Sequence, residues 1–222
     1  MRTAAKIRAC ELRAIEGRSI KEIARIVGAS QSSVSVWVRD VAIEEKQRQA
    51  LREHARVARI RAGSAHFRAR RKAFQDEGRL LARRGDPMHA AGCMLYWAEG
   101  SKGRNAVRLV NSDPAMVALF GEFLRAYYDV PGDAFRIDCN LFADHLERQR
   151  EIERFWLDTL SLPSSCLRKS TVNVYSKHSK KKRQNRLPYG TVCVCVHSTR
   201  VIQSIYGSIQ EYAGFERPEW LG

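Results

Sequence analysis

The chain lacks any apolar run approaching the ~20 residues that a membrane span needs, and its first residues lack the apolar core of a signal peptide. Both absences set the expectation of a soluble cytoplasmic protein, nucleoid-associated if the source is bacterial. Cysteine is sparse: six in 222 residues are too few for a disulfide scaffold, and a cytosol would keep them reduced. No Walker loop, dinucleotide fingerprint or Ser/His/Asp triad is found, which also disfavours a serine recombinase. No internal repeat is seen, and no low-complexity run beyond Lys180-Lys181-Lys182-Arg183. Acidic residues are the scarcest class relative to their opposites, with 24 Asp+Glu against 39 Lys+Arg and a formal charge of +15. Hydrophobic content of 44% with 9% aromatics can supply a core, so a wholly disordered basic tail is excluded. An excess of this sign predicts a polyanionic partner, nucleic acid first. An acidic membrane surface fits less well, because no amphipathic anchor with a bulky apolar face is present.

The charge is unevenly spread. Residues 1–43 carry a net of +4, residues 44–84 a net of +8, and residues 85–222 a net of +3. The shortest segment therefore holds most of the excess. Ala, Arg, Gln and Glu dominate it and its only glycines are Gly63 and Gly78, so it reads as helix. Leu51, Val57, Ile60, Phe67, Phe74, Leu80 and Leu81 are too few for an independent core. Two readings stay open: a solvated linker helix, or a spacer in which Arg56, Arg59, Arg68, Arg70, Arg71 and Lys72 track phosphates.

Within residues 1–43, Ser19 is placed to cap a helix in which Ile20, Ile23, Ala24 and Val27 share one face, with Glu22 completing a capping box. Gly28 follows where a tight inter-helix turn needs positive φ. Ser30 then caps a second helix that buries Val34, Trp37 and Val38, and Ile7, Cys10, Leu12 and Ile15 supply a preceding helix. The pattern resembles the resolvase and homeodomain-like helix-turn-helix family. That resemblance implies that Gln31, Ser32, Ser35 and Arg39 face outward to meet base edges or phosphates in the major groove. The rival use of such a pair is protein contact or dimerisation.

From Pro87 the pattern becomes α/β. Residues 88–100 read as an apolar helix with one acid, Glu99, in its last turn and Gly100 as terminator. A carboxylate there faces the negative end of the helix dipole: exposed, it is a harmless exception costing a few tenths of a kcal/mol, whereas at the end of an otherwise buried helix it points to a bound cation or to strong donors. A strand over 106–110 follows, then a helix started by Asp113-Pro114 with Met116, Leu119, Phe120, Phe123, Leu124 and Tyr127 on one stripe. A second strand spans 134–141, and Ile152, Phe155, Trp156, Thr159 and Leu160 mark another helix. A β-hairpin is expected over 170–177 and 190–197, then a helix carrying Val201, Ile202, Ile205, Ile209 and Tyr212. The strands alternate: Phe135, Ile137, Cys139 and Leu141 oppose Arg136, Asp138 and Asn140, and Val172 and Val174 oppose Thr171, Asn173, Tyr175 and Lys177. Likewise Val192, Val194 and Val196 oppose Thr191, Cys193, Cys195 and His197. One face packs on helices, while the other is either an ordinary solvated face or a base-reading surface.

The run from Gly92 to Gly100 (GCMLYWAEG), followed by a strand ending in Asn111-Ser112-Asp113-Pro114 and an amphipathic helix, resembles a LAGLIDADG homing-endonuclease domain over about residues 88–213. The resemblance implies two such helices packed side by side, here from a homodimer since one copy of the motif is present. It implies Glu99 as catalytic acid and Mg²⁺ ligand, with hard Mg²⁺ neutralising the phosphate and activating water. It further implies a sheet that grips double-stranded DNA. Arg108, Arg136, Asn140, Asn173, Tyr175 and Lys177 are its DNA-contacting candidates. Met94 stands where the family has a close-packing glycine and Trp97 where it usually has an acid. Some domains of this type regulate transcription without cleaving, so a Mg²⁺-dependent endonuclease and a non-catalytic regulator both remain open.

The loop residues Lys177, Lys180, Lys181, Lys182, Arg183 and Arg186 read as phosphate contacts. Lys102, Lys177 or Lys180 would stabilise charge at a cleavage site, with nothing to select among them. Cys193, Cys195 and His197 form a zinc-like trio on one strand, though zinc sites come from turns and need a fourth ligand, so small strand residues are the better reading. Cys93 and Cys139 read as core fillers, and His89 as a packed or exposed histidine rather than a base. The expected architecture is α+β: an all-α helix-turn-helix over 1–43, a basic helical linker over 44–86, and a mixed α/β LAGLIDADG-like domain over 87–222 with a DNA-facing sheet. No small-molecule substrate is expected.

Overall fold

The computed structural model describes residues 2–173 and 187–222. The chain divides into two compact units, Met1–Phe67 and Arg68–Gly222. The division falls inside the long helix that the basic middle segment forms.

The first unit holds α1 (Arg2–Ala14), α2 (Ile20–Val27), α3 (Gln31–Trp37) and the first part of α4 (Glu45–Ala82). Local chemistry sets the boundaries of α2 and α3. The Ser19 hydroxyl accepts from the Glu22 amide while the Glu22 carboxylate accepts from the Ser19 amide, a complete capping box. Gly28 ends α2 at φ 66°, a left-handed conformation that a side chain would strain. Ser30 caps α3 by accepting from the Ser33 amide at 3.1 Å. Ala9, Leu12, Ile23, Ala24, Val34 and Val38 form the core, with Ile20, Val27 and Trp37 packed on its margin. The expected face of α1 is rotated: Ala9 and Leu12 point inward, whereas Ile7 and Ile15 are exposed. Four isolated apolar residues on a mostly polar helix fix its phase poorly, and a buried alanine carries no sequence signal of its own.

The second unit contains the end of α4, α5 (Pro87–Glu99), β1 (Val107–Asn111), α6 (Pro114–Tyr128), β2 (Phe135–Phe142), α7 (Gln149–Thr159), β3 (Thr171–Asn173), β4 (Thr191–Val196) and α8 (Thr199–Ala213). It is a mixed sheet with helices, an α+β arrangement. Pro114 opens α6 behind Asp113, whose carboxylate accepts from the Ala115 and Met116 amides. The buried stripe of α6 is Val117, Phe120, Phe123 and Leu124, while Met116 is exposed.

The strand order is β1-β4-β2-β3, with β4 antiparallel to both neighbours and β3 parallel to β2. Among the described residues β3 and β4 do not pair as the expected hairpin; β4 enters the middle of the sheet. Burial explains the choice. Val192 to Val196 are all buried, as a central strand requires, whereas Thr171 and Asn173 are exposed and suit an edge. The approach to β4 is pinned by the Trp156 indole donating to the Tyr189 carbonyl at 2.9 Å, and by Phe155 stacked on Tyr189 at 3.8 Å. Val107, Leu109, Phe135, Ile137, Cys139, Leu141, Val192, Val194 and Val196 face the helices and form one continuous core with them.

Residues Val201 to Gln210 of α8 are all buried, because α8 is enclosed by the core on one side and the end of α4 on the other. The α4–α8 crossing is too close for side chains at its centre. A Cβ on Gly78 would lie 1.9 Å from the Ser204 carbonyl oxygen, and one on Gly207 would lie 1.9 Å from that of Gln75. Around this contact Gln75 donates to Gln203 at 2.7 Å, Gln210 donates to Gln75 at 3.0 Å, and Ser208 donates to the Gly78 carbonyl at 2.8 Å. Arg79 and Arg83 pair with Glu211 at the rim. No helix of the described residues is long and apolar enough to cross a membrane.

Gly78→Ala should therefore destabilise the second unit by about 2–3 kcal/mol or more, since backbone rather than a flexible side chain must move. Gly63→Ala, where nothing lies within 4 Å, should stabilise its helix by up to about 1 kcal/mol. Urea unfolding followed by circular dichroism reads both, and equal effects at the two glycines would contradict the crossing.

Candidate functional site

The polar face of α3 is open. Gln31, Ser32, Ser35 and Arg39 are all exposed, opposite buried Val34 and Val38. Two features were not visible in the sequence pattern. Val36 stands on the open side at 59% exposure, an apolar group able to meet a thymine methyl. Lys21 and Arg25 of α2 line a cleft of about 650 Å³ together with Ser30 and Gln31, which adds positive charge beside the start of α3.

In the second unit, the strand register gathers the other candidates onto one sheet face. Arg108, Cys195 and Arg136 sit side by side across β1, β4 and β2, followed by Val110, Cys193 and Asp138. The next row is Thr191, Asn140 and Thr171, and Phe142 pairs with Asn173 at the β3 end. Arg108, Arg136, Asn140 and Asn173 thus share the face opposite the core, with Arg108 and Asn173 exposed. Arg168, absent from the sequence expectation, joins them: its amide donates to the Ile137 carbonyl and its guanidinium to His197 Nε2 at 3.0 Å. It lies before β3 in a stretch without strand alternation, so no pattern could have placed it. Together these side chains offer guanidinium donors, amide donor–acceptor pairs and hydroxyls, with Asp138 as the acid among them. Tyr175, Lys177, Lys180, Lys181, Lys182, Arg183 and Arg186 lie outside the described residues.

The two cysteines of that face are not reactive thiolates. Burial, then the Asp138 charge, pushes the Cys193 thiol up to about 11, and burial raises Cys195 against the opposing pull of Arg168 and Arg108. Among the described residues no group of three or more His, Cys, Asp or Glu is placed to hold a metal ion.

Glu99 is exposed at the end of α5, and the last turn around it is open at Trp97 and Ala98 as well. The sequence treats α5 as buried throughout; in the fold one side of it is solvated. Gly100 follows the helix at a position without space for a side chain, since a Cβ there would meet the Tyr96 ring at 2.4 Å. The unfavourable helix-end position of the carboxylate is offset by Lys102, whose ammonium donates to the carbonyls of Trp97 at 2.7 Å and Gly100 at 2.6 Å. Lys102 is thus committed to closing α5, and burial lowers its pKa while Glu99 opposes that shift. Mg²⁺ bound at such a helix end would neutralise phosphate and activate water. The donor set of one chain does not fit it: Glu99 brings one carboxylate, and the nearby carbonyl oxygens are already taken by an ammonium whose charge repels a cation. No protein-family model, curated protein or solved structure matches the chain.

His89 is buried in the packing of α5 rather than exposed. Its Nδ1 lies 2.8 Å from the Tyr212 hydroxyl and its Nε2 3.2 Å from that of Tyr128, with Phe123 and Tyr127 against the ring. Burial holds its pKa below the ordinary imidazole value; Arg84 adds to this and Asp86 opposes it. The unfolded chain therefore binds the proton more readily, so the neutral histidine's contribution is complete above about pH 6.5 and is lost as pH falls toward the lowered native value. Urea midpoints measured from pH 8 down to pH 5 should drop below about pH 6.5 in the wild type. His89→Gln should start lower and fall less over that interval, and parallel profiles would remove His89 as the cause.

Proposed function

We propose that the protein is a sequence-specific double-stranded DNA-binding protein that acts without cleaving, with α2 and α3 serving as a helix-turn-helix and the sheet face of the second unit extending the contact. The observation that carries this reading is the open polar face of α3, with Gln31, Ser32 and Ser35 exposed on a helix capped by Ser30 and Arg39 exposed in the turn that follows it, in a chain of charge +15. Arg108, Arg136, Asn140 and Asn173 suit backbone and base-edge contacts from a sheet. A homodimer is the natural form for such a module, since paired half-sites double the contact. The outward side of α5, with Ala91 and Ala98 exposed, suits a helix-on-helix contact.

A LAGLIDADG-type endonuclease is the second reading. It is favoured by the exposure of Glu99 beside Gly100, which would let the acids of two chains share a cation that one chain alone does not equip. The solvated carboxylate next to the Lys102-capped helix end favours the non-cleaving form.

Incubation of the full chain with a randomised duplex library in Mg²⁺ and in Ca²⁺ separates the readings. Enrichment of a motif with intact ends in both metals is expected, and Gln31→Ala with Ser35→Ala should erase the motif while leaving non-specific binding within a few-fold. Recurrent breaks in Mg²⁺ alone that vanish in Glu99→Gln would replace this reading with the nuclease. Binding should also weaken steeply with salt: neutralising six to ten phosphates costs about three to five decades of affinity between roughly 50 and 200 mM. A salt-insensitive affinity would sink both.

A further inference from the structure

Where β2 begins, β4 ends and α8 starts, the second unit contains a cavity of about 540 Å³ whose lining includes Arg136, Arg168, His197, Ser198 and Arg200. That volume is within the ~300–1,000 Å³ of small-ligand clefts. Three arginines line this space, and each keeps donors that its own bonding does not use. Arg136 is oriented by its Nη1, which donates to the carbonyls of Asp133 and Phe135 at 2.6 Å each. Arg168 is held by His197, whose Nε2 accepts at 3.0 Å and is therefore unprotonated in this arrangement. Neither is paired with a carboxylate among the described residues. Arg200 is anchored at its Nε by Glu77 at 2.9 Å, which leaves its two terminal amino groups as donors.

Two further features favour an anion. Ser198 caps α8, a helix of 15 residues, so the first-turn amides add partial positive charge at the cavity edge. Asp129 is the acid in the lining; Arg200 is charge-paired with Glu77, while Arg136 and Arg168 have no carboxylate partner among the described residues. Planar guanidinium forks match tetrahedral oxyanions in a bidentate manner that single ammonium groups do not.

We propose that this cavity is a phosphate-binding site, occupied either by a backbone phosphate of bound DNA or by the phosphate of a free small molecule. The first source rests on the DNA reading above; the second does not.

The full chain is titrated calorimetrically with inorganic phosphate at chloride-matched ionic strength, and separately binds a mixed-sequence duplex in the presence and absence of phosphate. Arg168→Gln and Arg200→Gln are compared with Arg150→Gln, which removes the same charge from an exposed position on α7 outside the cavity. If a free phosphate compound is the occupant, phosphate saturates the wild type, both cavity variants weaken it at least tenfold, and duplex affinity follows the Arg150→Gln control. If DNA supplies the phosphate, both variants weaken the duplex at least threefold more than the control, and the slope of log affinity against log salt falls by about 0.9 per lost contact. Phosphate binding by a wild type that ignores duplex would end the DNA reading and leave the site standing. Cavity variants indistinguishable from Arg150→Gln toward both probes would overturn the site while leaving the DNA reading intact.

Discussion

The crossing of α4 over α8 is the constraint on which the second unit depends. Two glycines, Gly78 and Gly207, bring the backbones so close that each sits against a carbonyl of the other helix. At that distance water is excluded, so polar groups nearby must satisfy one another. The linked amides of Gln75, Gln203 and Gln210 and the Ser208 hydroxyl do so, and no buried side-chain nitrogen or oxygen among the described residues is left without a partner. This explains how α8 tolerates burial on every side while carrying two glutamines and two serines. It also makes the last turns of α4 part of the α/β unit rather than a spacer. Because α8 is fixed in this way, its first turn is held at the end of β4, where Ser198 and Arg200 line one cavity with Arg136.

Much of the local structure is legible from residue chemistry because the signals are short-ranged. Ser19 with Glu22, Gly28, Ser30 and Asp113-Pro114 each define a helix end through bonds spanning a few residues. Alternation in β2 likewise fixes which face carries Arg136, Asp138 and Asn140. Partner choice between strands is different, because nothing local distinguishes a hairpin from an insertion: Thr171–Asn173 and Thr191–Val196 follow one another among the described strands, yet β4 pairs with β1 and β2. The continuous valine and cysteine run of β4 is the one hint, since it lacks the solvated face an edge strand would keep. Arg168 and the Lys102 cap were illegible for a related reason. Each acts through the fold's placement of a backbone carbonyl or a histidine, and neither falls in a periodic element.

The distribution of paired charge bears on function more than its total. Acids are spent on the α4–α8 side, where Glu77, Glu211 and Glu216 engage Arg200, Arg79 and Arg83. The solvent-exposed pair of Arg200 with Glu77 contributes little stability, typically under about 1 kcal/mol, whereas Arg79 and Glu211 are partly covered. The larger consequence of these pairs is electrostatic, because they cancel positive charge on that flank. On the sheet face the arrangement is reversed. Arg136 and Arg168 bond to carbonyls and to His197, which orient a guanidinium without neutralising it. Positive charge is thereby left unneutralised on the surface that also carries Asn140, Asn173 and Thr171, the face on which the proposed DNA contact rests.

The end of α5 shows how one residue decides between chemistries. A carboxylate in a last helical turn is disfavoured by the C-terminal dipole, and a bound cation is one way to compensate it. Lys102 supplies another: its ammonium sits on the carbonyls of Trp97 and Gly100, so the helix end is already satisfied with Glu99 solvated. A divalent ion would have to compete with that ammonium, or displace it, and would gain a single carboxylate from this chain. Removal of the cap is therefore informative in a way that removal of the acid is not. Without Lys102 the orphan carbonyls and Glu99 would form an oxygen-rich, negative helix end, and affinity for Mg²⁺ should rise. In the native chain the same atoms are held by a fixed positive charge, which suits contact with a phosphate more than capture of a metal.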